Sequence, residues 1–366
     1  MVEWKRLGEI SHITIGEFVH RDKQNPNASY PVYNGGTTHT GFYDQFNNTG
    51  NKIVISARGY AGFVNRVFEN YWAGNSSYSI DVNDAIAIWT YVYYYLKNEQ
   101  YNIMSMQQKG GGLAAISKKQ VQELKIPIPS LSEQTRIVGI LDTFTASIEN
   151  LKEQIAQRRK QYEHYRDELL NIEGKRKDIK CWRDFCEMMK GNGVQKADFV
   201  ESGRGCIHYG QIYTHYGSYT YSTNKFVSDK VFLKARKASK GDIIMTDTSE
   251  NVEDICKSVA YLGEEDIAVS NHALIIKHKQ NPRFLSYSTQ TSSFMSQKRK
   301  VVVGAKVSGI KPEHLGQINI YLPSLSEQSR IVSVLDSFEA SIRNLKAQLK
   351  EREKQYEYYR NKLLTF

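Results

Sequence analysis

Three groups of residues in this sequence have types and spacing that could do chemistry: four cysteines, a few glycine-rich fragments, and several polar, aromatic loops. Cys181, Cys186, Cys206 and Cys256 all fall in the second half of the chain. With His208, the first three offer thiolate and imidazole ligands for zinc. Their C-x4-C and C-x-H spacing fits no common finger, so no metal site is expected. Four thiols are too sparse for a disulfide framework and suit a cytoplasmic location. "GNG" at Gly191 and "GRG" at Gly203 lack the lysine and hydroxyl residue of a phosphate-binding P-loop. "NPNA" at Asn25 and "NPRF" at Asn281 do not match the Asn/Asp-Pro-Pro-Tyr/Phe stretch of adenine methyltransferases. No nucleophile stands with a base, so no catalysis is expected within this chain.

The loops carry different chemistry. "NGGTTHTGFYDQF" begins at Asn34 and "HYGQIYTHYGSYTYSTN" at His208, in a chain with 24 tyrosines. Tyr, Thr, Asn, His and Arg on loops suit base edges and phosphates, although each tyrosine taken singly is equally a packing residue. "QKRKVVVGAK", residues 297–306, reads as a basic loop able to hold a phosphate backbone. Net charge is +10, which favours an acidic partner such as nucleic acid. The excess is uneven: residues 171–322 hold 23 basic against 16 acidic side chains, residues 1–128 only 12 against 10. Charged residues in the first 16 positions argue against a signal peptide, and no apolar run reaches the length of a membrane span.

Such loops need a scaffold, and the chain repeats one. "PSLSEQ" occurs at residues 129–134 and 323–328, and the match extends without a gap over 129–170 and 323–364, with 28 of 42 positions identical. Each copy reads as a long helix, with Ser132 or Ser326 as cap and Glu133 or Glu327 near the positive end of its dipole. Ile137, Leu141, Phe144, Ile148, Leu151 and Ile155 alternate steps of four and three, as do Ile331, Leu335, Phe338, Ile342, Leu345 and Leu349. Arg158 interrupts the first seam and Arg352 the second; Tyr162, Tyr165 and Leu169, then Tyr356, Tyr359 and Leu363, continue them. A sustained heptad needs a partner helix, and the other copy is the available one. A seam of about 33 residues spans about 50 Å. An antiparallel pairing lets residues 171–322 fold compactly between the two helices, whereas a parallel one makes them bridge that distance.

The chain therefore divides into bodies at 1–128 and 171–322 and repeated helices at 129–170 and 323–366. Both bodies read as α+β. Strands are expected in "KIVISARG", "SYSIDV", "LKIPIP", "GDIIMTDT" and "HALIIKH", and a helix in "IWTYVYYYLKN". Residual register, Trp4 and Glu9 against Trp182 and Glu187, marks the bodies as one fold with two surfaces. The fold class is α+β: two globular domains separated by two long helices that form an antiparallel intramolecular coiled coil, pseudo-two-fold symmetric.

The order body, helix, different body, same helix resembles the specificity subunit of type I restriction–modification systems over the whole chain. "IPIPSLSEQTRIVGILD" and "INIYLPSLSEQSRIVSVLD" carry the resemblance through a twice-written P-x-L-x-E-Q-x-R-I-V-x-x-L-D. "YPVYNGG", "ISARGYAG" and "WAGNSS" resemble the family's target recognition domains, and "IHYGQIYTHYG" and "GDIIMTDTSE" resemble another branch of them more loosely. The resemblance implies a bipartite, non-palindromic DNA target, one half read by each domain. It implies that two modification subunits bind S-adenosylmethionine and methylate adenine, with restriction subunits an optional, ATP-driven addition. No cofactor is expected in this chain and no membrane partner. Candidate DNA contacts are Thr37, Thr38, Arg58, Tyr60, Asn75, Ser76 and Lys109 in the first domain. In the second they are Tyr213, His215, Tyr216, Thr248, Ser249, Lys298, Arg299 and Lys306. Arg58, at a strand end beside a glycine, serves either DNA or a structural ion pair. Glu133, Gln134, Glu327 and Gln328 are candidates for docking a partner subunit or for capping the helices. The alternative is a stand-alone two-domain DNA-binding regulator.

Overall fold

The computed structural model describes residues 2–107, 114–173, 176–302 and 308–366. It divides into two compact units, Met1–Glu153 with Ala347–Phe366, and Gln154–Lys346. The division cuts both long helices, so each unit holds one α+β body and one end of each helix. In this it groups the chain differently from the four segments above.

In the first unit, strands Ser11–Ile15, Ser77–Val82, Lys52–Ser56 and Val64–Val67 form an antiparallel sheet in that spatial order. The β-branched run Ile53-Val54-Ile55 explains its centre. Ile53 and Ile55 pack with Tyr91, Val92 and Leu96 of the helix Trp89–Asn98. Val54 faces the other way, onto Val67, Tyr71 and Ala73. A second sheet there contains a parallel pair, Tyr30–Tyr33 with Trp72–Ala73. Strand Lys125–Ile128 then pairs with Glu3–Arg6 and leads into the first long helix, Leu131–Leu169.

The second unit repeats this plan. Strands Cys186–Lys190, Ala273–His278, Ile243–Thr246 and Ser258–Tyr261 occupy the same spatial order, extended by Tyr219–Thr220. The helix Pro282–Ser288 follows, and Asn319–Tyr321 pairs with Ile179–Cys181 before the second long helix, Leu325–Leu364. The second sheet again has a parallel pair, Arg204–Ile207 with Ile267–Val269, but within five strands.

Within each unit the two long helices pack antiparallel. In the first, Phe144 stacks on Tyr359 at 5.3 Å and Lys152 lies 3.7 Å from Glu353. In the second, Tyr165 stacks on Phe338 at 5.5 Å. These stacks are the same two repeat positions with the helices exchanged. The arginines that interrupt the heptads are placed by it: Arg352 lies over Phe144 at 5.6 Å and Arg158 over Phe338 at 5.8 Å. Ile137 and Leu141 are buried in the first unit's core with Leu364, and Ile331 and Leu335 in the second's with Leu170. Ile148 and Ile155 are buried. Phe144, Leu151, Phe338, Ile342, Leu345 and Leu349 are half-buried.

Two expectations about the helix starts are corrected. The caps are Ser130 and Ser324, whose hydroxyls accept from the Glu133 and Glu327 amides at 3.3 and 3.4 Å; Ser132 and Ser326 already lie inside the first turn. Gln134 and Gln328 are 0% exposed and cannot meet a partner subunit. Gln134 accepts from the Ile88 amide at 2.8 Å and donates to Pro129 O at 2.9 Å. Gln328 accepts from the Asn281 amide at 3.0 Å and donates to Pro323 O at 2.8 Å. Ile88 and Asn281 are the N-caps of the short helices Trp89–Asn98 and Pro282–Ser288, so each glutamine fastens a body helix to the start of a long one. Gln134→Ala and Gln328→Ala should each lower unfolding free energy by about 1–3 kcal/mol in urea titrations, the cost of a buried donor or acceptor left unpaired. Glu133→Ala, which removes an exposed ion pair with Arg136, should cost about 1 kcal/mol at most.

Candidate functional site

In the first unit, three loops meet through their backbones. The Tyr60 amide donates to Gly35 O at 3.0 Å, Ala57 to Ser76 O at 2.7 Å, and Ser76 to the Asn34 side chain at 3.0 Å. Ser56 Oγ donates to Gly36 O at 2.8 Å. Gly35 and Gly59 have φ of +79° and +74°, and a Cβ on Gly35 would sit 2.5 Å from Arg58 O, so only glycine allows this approach. The packing gathers Thr37, Thr38, Arg58, Tyr60, Asn75 and Ser76 around one rim. Thr38, Arg58 and Tyr60 are exposed, Tyr60 at 58%; Thr37, Asn75 and Ser76 are half-buried. Arg58 makes no salt bridge among the described residues; its backbone bridges to Ala115. Lys109 lies outside the described residues. The rim offers donors and acceptors on a rigid support, with a guanidinium free to meet an anion. Asn34, which supports Ser76, was not singled out; the signal was an asparagine before two glycines, a residue type that bonds nearby backbone in turns.

In the second unit the aromatic stretch is partly helical, Tyr209–Thr214, where a loop was expected. Its start is closed by His208, whose Nδ1 accepts from the Gly210 amide at 3.1 Å while Gln211 accepts from the His208 amide at 2.8 Å. The helix delivers Tyr213, which is half-buried and donates its hydroxyl to Thr248 O. Burial holds the Tyr213 phenol above its usual pKa, which keeps it a donor. Tyr216 exchanges hydrogen bonds with Asn224, both at 3.1 Å. Thr248 and Ser249 are half-buried, and His215 is exposed beside Tyr216. Tyr213 and Tyr216 line a cavity of about 330 Å³ with Ser218 and Lys298.

One basic candidate changes role. Gln297 to Val301 end the helix Ser292–Val301 and are not a loop. Lys298 is 1% exposed, on the face that also buries Phe294, and its ammonium donates to Ile255 O at 2.7 Å and Glu253 O at 3.1 Å. Burial lowers its pKa, and two carbonyls occupy the charge that a phosphate would need. Arg299 is exposed, 3.1 Å from Glu253. Lys306 lies outside the described residues. Asp247, unremarked in the sequence, is 1% exposed and 2.8 Å from Lys190 at the root of the Thr248 loop.

The zinc candidates stay apart in function. Cys181 donates to Asn319 Oδ1 at 3.2 Å and Cys186 to Trp182 O at 2.9 Å, while burial lifts the Cys206 thiol to about 12. Among the described residues no group of three or more His, Cys, Asp or Glu could hold a metal ion, and no helix is long and apolar enough to cross a membrane.

A family model described as "Type I restriction modification DNA specificity domain" matches residues 1–158 and again 178–353. A Haemophilus influenzae chain named as type I restriction enzyme specificity subunit S.HindORF215P is 26% identical, covering 100% of this chain and 96% of its own. The type I restriction enzyme EcoR124I/EcoR124II specificity subunit of Escherichia coli is 28% identical over 75% of this chain and 70% of its own. A solved type I restriction–modification S subunit from M. genitalium shares the fold with TM-score 0.66 at 18% identity, over 100% of this chain and 97% of the other. Lys298→Ala should lower stability by about 1–3 kcal/mol in thermal melts, because the buried Ile255 carbonyl and the partly buried Glu253 carbonyl lose their donor. Arg299→Ala, at an exposed pair, should change stability by about 1 kcal/mol or less.

Proposed function

This chain belongs to the type I restriction modification DNA specificity family, as a non-catalytic subunit that recognises DNA targets, and on that premise we propose how its units divide the task. Each unit reads one half of a split, non-palindromic target in double-stranded DNA. The first does so through Thr37, Thr38, Arg58, Tyr60, Asn75 and Ser76, with Lys109 added on sequence grounds. The second uses Tyr213, His215, Tyr216, Thr248, Ser249 and Arg299, with Lys306 added likewise; Lys298 is not among them.

The observation that carries this reading is a repeated support under unequal rims. Both long helices open with the same exposed turn: Leu131 and Leu325 are exposed beside the bidentate pairs Glu133–Arg136 and Glu327–Arg330. Identical surfaces suit two copies of one partner, here the modification subunit, with restriction subunits joining some assemblies. S-adenosylmethionine and ATP with magnesium belong to those partners, and the work is done in the cytoplasm. No observation favours a stand-alone regulator.

Single-molecule mapping of N6-methyladenine with and without this gene tests the whole reading. One split motif should vanish with the gene; an unchanged map in cells expressing a partner methyltransferase would overturn it. Arg58→Ala should weaken discrimination at the first half-site by about tenfold or more, the value of 1–3 kcal/mol for a base contact, while the second half-site and subunit assembly persist. Leu131→Asp with Leu325→Asp should abolish methylation while the purified chain still binds DNA.

A further inference from the structure

One residue type on the repeated helices recurs outside the seam and outside both rims. Asp142 and Asp336 occupy the same repeat position, one residue after the seam leucines Leu141 and Leu335. In the first unit, the Tyr94 hydroxyl donates to Asp142 Oδ1 at 2.5 Å and Arg66 Nη1 lies 3.4 Å from the same oxygen. In the second, the Tyr287 hydroxyl donates to Asp336 Oδ1 at 2.7 Å and Arg283 Nη1 to Oδ2 at 2.5 Å. Each aspartate is thus clasped by a tyrosine and an arginine of the body beside it.

The two clasps are built differently. The tyrosines come from equivalent helices, Trp89–Asn98 and Pro282–Ser288. The arginines do not: Arg66 belongs to the strand Val64–Val67 and Arg283 to the helix itself. Each is steadied by an aromatic ring of its own body, Arg66 over Tyr93 at 5.2 Å and Arg283 over Tyr219 at 3.6 Å. Two unlike bodies reaching the same charged clasp by different routes mark the clasp itself as what is retained. Both tyrosines are held well above their usual pKa, Tyr94 by burial and then by Asp142, Tyr287 by burial and then by Glu339 and Asp336, so each stays a hydrogen-bond donor.

The clasp also stands at a defined place. The buried glutamine, Gln134 or Gln328, precedes its aspartate by eight residues, about 12 Å along a helix. The same body helix is therefore held to the long helix at two separated points, at its N-cap by the glutamine and six residues further on, at Tyr94 or Tyr287, by the aspartate. The core packing of Ile137 and Leu141, or Ile331 and Leu335, is non-directional, and the two polar attachments add a directional constraint on the body's angle.

We propose that Asp142 and Asp336, with Tyr94, Arg66, Tyr287 and Arg283, are positioning residues that set how strictly the spacer between half-sites is read. The proposal rests on the split-target reading above. A body fixed on its helix presents its rim to the duplex at one angle, so spacers one base pair longer or shorter are refused. A loosened body accepts them while its rim still reads the same bases.

The test maps N6-methyladenine in cells whose only copy of the gene carries Tyr94→Phe, Tyr287→Phe or Asp142→Asn, with the melting temperature of each purified chain measured alongside. Tyr94→Phe removes the hydroxyl's bonds with Asp142, Arg66 and Thr145 and keeps the ring, so it is read if Asp142→Asn fails to fold. The expected result is unchanged half-sites with methylation at off-length spacers raised about tenfold or more. A core variant, Ile53→Val, matched for loss of melting temperature, should keep the parent spacer. Strict spacers in the tyrosine variants, or equal relaxation in the core variant, would overturn the proposal and leave the split-target reading intact. A parent chain that yields no split motif would overturn that reading, and this proposal with it.

Discussion

Everything in each unit is built on a buried amide. A glutamine at the fourth residue of a long helix is an expensive thing to place in a core, because both its carbonyl and its NH2 must find partners. Gln134 and Gln328 find them in the chain just before their own helix and in the first turn of a body helix. Neither Ile88 nor the body helix it starts has a side-chain cap of its own in the first unit, so the glutamine supplies what the local sequence lacks. The bond ties three things at one point: the strand that ends the body, the helix that crosses its sheet, and the long helix that leaves it.

Around that point the repeated segment keeps the aromatic residues of the helix-to-helix stacks and the glutamine and aspartate that each body binds, and varies at other body contacts. Phe144, Tyr165, Phe338 and Tyr359 recur because each helix must present the same surface to the other. Thr145 and Glu339 share a repeat position and differ. Thr145 lies 3.3 Å from the Tyr94 hydroxyl, whereas Glu339 accepts from Ser218 at 2.7 Å. At this position the difference between the copies is an adjustment to two different bodies.

The scaffold was legible in the sequence for a physical reason. A 3.5-residue period sustained over 30 residues has no other stable use than a helix pair, and β-branched runs such as Ile53-Val54-Ile55 and Ile243-Ile244 mark central strands. What the sequence did not show was the buried, structural duty of polar residues that it had marked for other roles. Gln134 lies three and seven residues before Ile137 and Leu141, on the seam face, yet its type suggested the surface. Lys298 lies four residues after Phe294, a spacing that puts both on one helix face; its basic neighbours disguised it. The helix Tyr209–Thr214 was hidden because it contains Gly210 and is capped by an imidazole, not by a serine, threonine or aspartate. The rims themselves were legible only as composition, since the bonds that gather them join separate stretches of chain.

The arginines in the seam have a consequence for assembly as well. A seam of uniform leucines can slide by seven residues and repack with little loss, or pair with the helices of another molecule. Arg158 and Arg352 each carry a charge that is sheltered only when a phenylalanine ring of the opposite helix lies beneath it. A slip of one heptad would carry each guanidinium past its ring and leave a cation against aliphatic side chains. The two arginines therefore act as detents, admitting one alignment of the helices and penalising the neighbouring ones.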